Sequence, residues 1–308
     1  TGDFRINNTN GFGTAAVNLG AGVNMYVSVN FATNPTTFAI GELAGDATST
    51  LAGQNATNSA RTAIYSVGGR NTSATFAGTI RDGNVASVVQ PTAITKVGTG
   101  RWTLTGTSTY TGATTVSAGS LLVDGLISNS AVTVGSAGLL GGNGTLAGAV
   151  AVSGTLSPGS SNGLITLGTL TLNPSSTTLI EVTSAGTRGV DFDAIDVTGL
   201  SGLTYGGTVA FAFGGSALPE NSSLTIFGFT GTPSSTLAGI SSTGYYSGAW
   251  TSLGAGTWQI TSGTSIATFT EATGVLSIVP EPSTTAIVAI ASASIGGLVL
   301  RRRKVVQR

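Results

Sequence analysis

The stretch KVGTGRWTLTGTSTYTGATTVSAGSLLV, residues 96–123, alternates apolar and small polar residues in short runs: Trp102 with Leu104, Thr114 with Val116, Leu121 with Val123. Period-two alternation half-buries a strand, and the glycines between the runs permit the tight corners that join one strand to the next. Gly-Ser/Thr-Leu then recurs at Gly119-Ser120-Leu121, Gly144-Thr145-Leu146, Gly154-Thr155-Leu156 and Gly168-Thr169-Leu170. The uneven spacing predicts coils of variable length in a solenoid, each burying its apolar face only against its neighbours. A parallel β-helix accounts best for this pattern.

The whole chain agrees with an all-β fold. Only 8% of its 308 residues are charged, with 47 glycines, one methionine, no cysteine and no histidine. Helices with solvated faces need more charge than this, while Leu, Ile, Val and Phe at about a quarter of the chain suffice for a core. The missing cysteine and histidine exclude disulfides, thiolate zinc sites and histidine-based catalysis. No cofactor is expected, and the chain reads as a non-enzyme. Residues 1–279 carry seven basic and eleven acidic side chains, which gives no footprint for a nucleic-acid partner.

Five of the twelve basic residues lie in the last eight positions. Residues 284–300 (TTAIVAIASASIGGLVL) are 17 uncharged positions, and as a helix they reach roughly 25 Å, the short limit of a membrane span. Arg301, Arg302, Arg303 and Lys304 follow at once and hold that end on the cytoplasmic side, leaving the preceding chain outside. Just before the span, Pro280, Glu281 and Pro282 force an extended, exposed segment. This tail resembles the PEP-CTERM sorting signal. The resemblance implies recognition by an exosortase at or near the tripeptide, loss of the single transmembrane helix, and delivery to the cell surface or an exopolysaccharide matrix. An exported chain needs a signal peptide, yet this one opens Thr1-Gly2-Asp3-Phe4 with neither a basic nor an apolar leader, so the signal is expected upstream.

Residues 96–123 also resemble the autotransporter-associated β-strand repeat, through Lys96, Gly98, Gly100, Leu104, Gly106, Tyr110, Thr111, Gly112, Thr114, Val116, Gly119, Leu121 and Val123. The likeness extends in weaker form over residues 40–200. No membrane β-barrel follows, so self-translocation is not implied. The expected organisation is a solenoid over residues 1–200, an antiparallel β cap or sandwich over 201–279, and the sorting signal with its transmembrane helix over 280–308.

Other chemistry is sparse. Gly159-Ser160-Ser161-Asn162-Gly163 has the spacing of a nucleophile elbow but no histidine base to serve it. Gly98-Thr99-Gly100 has no following helix to make it a phosphate loop. Asp191 and Asp193 fall on one face if the segment is a strand and are a weak calcium candidate; a solvated turn edge is the plainer reading. Tyr245, Tyr246, Trp250 and Trp258, read as exposed, offer faces for sugar rings, with hairpin packing as the plainer alternative. These features predict a non-catalytic surface or matrix protein of structural or adhesive type, with a glycan-binding module as the second reading and a glycan-active β-helix enzyme as the third.

Overall fold

The computed structural model describes residues 2–8, 10–28, 33–54 and 60–281. The expected transmembrane helix, Pro282 and the basic cluster 301–304 lie outside the described residues. Among those described, no helix is long and apolar enough to cross a membrane.

The described chain is built of strands, most of them paired in parallel, which is the expected β-helix ladder. Successive coils set their strands in register, so that inward residues stack in columns. One column runs Ile40, Val67, Lys96, Val116, Val134, Val152 and Leu172. A second runs Leu19, Gly45, Phe76, Leu104 and Val123. A third runs Ser108, Ile127, Leu146, Leu167, Val197 and Phe229. The step between column members shortens after Lys96 and lengthens again after Leu167, so compact coils lie between longer ones. Each fully buried Leu, Ile or Val contributes about 1.5–3 kcal/mol, so the columns supply the main driving force.

The Gly-Ser/Thr-Leu motifs owe their uneven spacing to this geometry. Leu121, Leu140 and Leu156 share one column. Leu146 stacks on Ile127 and Leu170 stacks on Val150. The motif therefore marks an inward leucine after a corner and recurs on more than one face of the coil.

The parallel ladder does not stop at residue 200. Thr208–Phe213 pairs with Thr177–Val182, and Gly239–Thr243 pairs with Thr208–Phe213, both in parallel. The antiparallel sheet expected beyond 201 is made of Ser223–Thr225, Val275–Pro280, Ser265–Thr270, Thr257–Ser262 and Thr251–Gly254. It is interleaved with the last parallel rungs and does not follow them as a separate block. Period-two alternation is the same for parallel and antiparallel strands, so residue pattern alone could not place that change. Phe269 of the antiparallel sheet meets Phe211 and Phe227 of the rungs edge-on, at 5.9 and 6.2 Å between ring centres.

Candidate functional site

The repeat spans one coil, formed by Thr92–Lys96, Arg101–Leu104 and Thr107–Ser108, and the long strand Thr114–Val123 of the next coil, which pairs in parallel with the first two strands. All six positions read as inward, Trp102, Leu104, Thr114, Val116, Leu121 and Val123, are buried. Trp102 donates its indole N–H to the Leu43 carbonyl at 2.8 Å. The Tyr110 hydroxyl lies 2.6 Å from Thr114 Oγ1, which lies 2.8 Å from Ser130 Oγ, a buried hydroxyl chain that ties this coil to the next.

Lys96 is the unexpected member. It is 1% exposed and stands in the apolar column between Val67 and Val116. Its ammonium donates to the carbonyls of Val97, Gly98 and Ala118 at 2.7, 3.0 and 3.2 Å. Gly98 and Gly119 have φ of +68° and +66°, and a Cβ on Gly119 would sit 2.9 Å from Nζ. The repeat's lysine and its glycines thus form one device. The left-handed corners turn carbonyls inward, and the lysine satisfies them. Desolvation brings the Lys96 pKa down to about 8, so the ammonium is the main form at neutral pH. A charged residue reads as exposed from sequence; only the three converging carbonyls explain its place inside.

The three aspartates near 191 are not a shared cation site. Asp191 is half-buried and accepts from Ser184 Oγ at 2.8 Å and from the Thr187 N–H at 2.6 Å, closing its own loop. Those donors hold its pKa below the usual value, the Thr187 backbone N–H first. Asp193 is fully buried and accepts from the Gly163 and Glu181 N–H groups at 2.7 and 2.8 Å. Asp196 takes the Arg188 guanidinium at 2.8 Å, while Arg188 Nε donates to the Thr225 carbonyl at 2.7 Å. Asp191 and Asp193 therefore do not present a common strand face. The strand begins only at Ala194, and the preceding segment folds back through Gly189 at φ +74°. Among the described residues no group of three His, Cys, Asp or Glu could hold a metal ion.

Asp193 carries a testable pH signature. Burial raises its pKa to about 7, against the two N–H donors, which favour the ionised form. Between about pH 4 and 7 the folded state then binds more protons at this group than the unfolded chain does, so its contribution to stability falls as pH rises. Urea unfolding of wild type and Asp193→Asn across that range is expected to show the wild-type advantage shrinking towards pH 7. An advantage that grows over the same range contradicts the assignment.

The aromatic set is also placed differently from the exposed reading. Tyr246 and Trp250 are buried, while Tyr245 and Trp258 are half-buried. Trp250 stacks on Phe211 at 5.7 Å and donates to Ser242 Oγ at 2.8 Å. Tyr246 packs edge-on against Phe213 at 5.0 Å, and its hydroxyl accepts from the Leu218 N–H at 3.3 Å. Trp258 donates to the buried Glu271 at 2.7 Å. Tyr246 and Trp250 are packed against the rung Thr208–Phe213 and are not available to a glycan.

Pro280 closes the strand Val275–Pro280 opposite Ser265, and the Glu281 N–H still donates to the Thr264 carbonyl at 2.8 Å. Both residues are exposed. The described fold thus runs to the first two residues of the tripeptide without an intervening linker.

No curated protein matches the chain. A family model does match part of it: residues 94–123 fit the passenger-associated-transport-repeat. That span starts two residues before the buried lysine and ends at Val123, so it covers the lysine-clamped corner, Trp102, Tyr110 and the long strand. This segment of an all-β, parallel-stranded protein is accordingly similar to the repeats of exported passenger domains of autotransporter type.

Proposed function

We propose that the chain is an exported, exosortase-sorted protein of the cell surface or exopolysaccharide matrix, with a structural or adhesive role and no catalytic turnover. The observation that carries this reading is the transport-repeat match at 94–123, set in a continuous parallel stack that gives way to an antiparallel sheet ending at Pro280 and Glu281. An inner-membrane span over 284–300, with the basic residues 301–304 on the cytoplasmic side, anchors the precursor until exosortase acts near Pro280, Glu281 and Pro282. Exopolysaccharide and the membrane are then its partners, and nucleic acid is not.

The absence of histidine and cysteine from the sequence supports a non-catalytic role. So does the engagement of Asp191, Asp193, Asp196 and Glu271 in hydrogen bonds that hold loops and strands together. A rigid stack with a lysine-clamped corner suits a spacer, since each coil is fixed to its neighbours through ladder bonds and side-chain clamps.

The test is surface biotinylation of intact cells producing the chain behind a bacterial signal peptide, with and without an exosortase. Labelled protein released from the inner membrane only when the enzyme is present supports the reading. Protein that stays unlabelled in the cytoplasm in both hosts overturns it.

A further inference from the structure

The flank of the N-terminal coils carries a notch that none of the above uses. Its floor is Ala52, 3% exposed, and around it stand Asp3, Asn24, Tyr26, Arg81, Gly83 and Asn84, enclosing about 190 Å3. The parallel sheet Gly2–Ile6, Val23–Val27, Thr50–Gln54 and Thr79–Arg81 supplies most of these residues. Asp3 lies beside Asn24, and Arg81 lies beside Ala52. The outer wall is a hairpin, Gly83–Val85 with Val88–Gln90, that interrupts the coil and turns through Ala86 and Ser87 at φ +48° and +69°. Gln90 accepts from the Arg61 N–H and Asp82 accepts from the Thr92 N–H, both at 2.8 Å, which fixes the base of the hairpin. A small residue below a projecting hairpin is what makes a recess on an otherwise flat strand surface.

The chemistry of the notch is unusual for so uncharged a chain. Tyr26 donates its hydroxyl to Asp3 at 3.0 Å, and the Arg5 guanidinium lies 5.8 Å from the centre of its ring. The Tyr26 hydroxyl, with Arg5 and Asn24, holds the Asp3 carboxyl below its usual pKa, so it stays ionised and paired with Arg5 at 3.4 Å. Asp82 turns its carboxylate away, to the Thr92 and Thr111 N–H groups and to Thr111 Oγ1. Arg81 is exposed and donates to the Asp82 carbonyl at 3.1 Å; among the described residues no carboxylate pairs with it. The recess thus offers a positioned aromatic ring, two amides, an ionised acceptor and one unmatched guanidinium.

We infer that this notch binds one acidic sugar unit, a uronate within a polysaccharide. The ring of such a unit buries apolar C–H surface against Tyr26 and Ala52. Its hydroxyls pair with Asn24, Asn84 and Asp3, and its carboxylate takes the planar fork of Arg81. A neutral sugar leaves Arg81 without its anion, which is the basis of selectivity. The site goes beyond the structural role and holds whether or not exosortase processes the tail.

The test is calorimetric titration of the protein with tetragalacturonate, with uncharged cellotetraose as comparison. Tetragalacturonate is expected to bind at least tenfold more tightly than cellotetraose, and Arg81→Gln and Asn84→Ala are each expected to weaken it tenfold or more. Arg101→Gln removes the same charge from an exposed arginine outside the notch and is expected to leave binding unchanged. Three results each overturn the site: no heat up to about 10 mM ligand, equal binding of cellotetraose, or equal losses in Arg81→Gln and Arg101→Gln. Circular dichroism of each variant confirms that the fold is retained.

Discussion

Gly125→Val is expected to destabilise the protein by about 4 kcal/mol or more. Gly106, Gly125 and Gly144 form a column in which each glycine lies directly over the backbone of the coil before it. A Cβ on Gly106 falls within 3.0 Å of the Gly78 carbonyl oxygen, one on Gly125 meets Gly106 and one on Gly144 meets Gly125 in the same way. The neighbour is backbone and cannot swing aside. It is also committed to the ladder, since the Leu126 N–H donates to the Gly106 carbonyl at 3.2 Å and the Thr145 N–H to the Gly125 carbonyl at 2.9 Å. Relieving the clash separates two coils and breaks these bonds along with the columns they align. Gly239→Val is the matched control, because its Cβ meets nothing within 4 Å. Thermal unfolding followed by far-ultraviolet circular dichroism is expected to show a drop of roughly 10 °C for Gly125→Val and almost none for Gly239→Val. Equal drops would show that glycine matters here only through chain entropy.

Lys96→Met is the second large effect, at about 3 kcal/mol. Methionine fills the column between Val67 and Val116 with an apolar chain of similar length, so the packing loss is small. The cost arises at the carbonyls of Val97, Gly98 and Ala118, which lose their donor while turned inward. The pH dependence separates this from a simple packing defect. With a folded pKa of about 8 and an unfolded value of 10.5, the lysine is neutral in the fold and charged in the unfolded chain between those limits. The unfolded state then binds more protons, so the wild-type advantage over Lys96→Met grows from pH 8 to 10.5, by an amount on the order of 3 kcal/mol. Urea unfolding at pH 7, 8.5 and 10 measures it. A flat difference would place the amine in water, and a shrinking one would mean that the carbonyls favour the ammonium more than burial disfavours it; either contradicts the lowered pKa.

How much of this was legible in the residues depended on what each signal encodes. Alternation at Trp102, Leu104, Thr114, Val116, Leu121 and Val123 reported burial correctly, because side chains leave a strand on opposite faces whatever its partners are. The same rule gave no help with strand direction, so the parallel rungs at 208–213 and 239–243 were not separable from the antiparallel sheet around them. It failed at Asp191 and Asp193 because the backbone there is a loop bent through Gly189. Packing is the plainer reading of Tyr246 and Trp250, yet their partners Phe213 and Phe211 lie more than thirty positions away, and such contact is not a local property. The notch at Ala52 is of the same kind. Asp3, Tyr26, Ala52 and Arg81 are brought together only by coil stacking, and no motif spans them. Lys96 was visible as the first residue of the repeat, while its inward position followed from carbonyls that only the folded corners supply.

The surface-sorting account rests on the fate of the chain at the end of the last strand, where Pro280 and Glu281 leave the sheet. Its most direct test is the intact mass of the protein recovered from hosts with and without an exosortase. The account predicts a product that ends within residues 280–282 only in the host that has the enzyme, and a full-length, membrane-partitioned chain in the other. The same full-length mass in both hosts would contradict it.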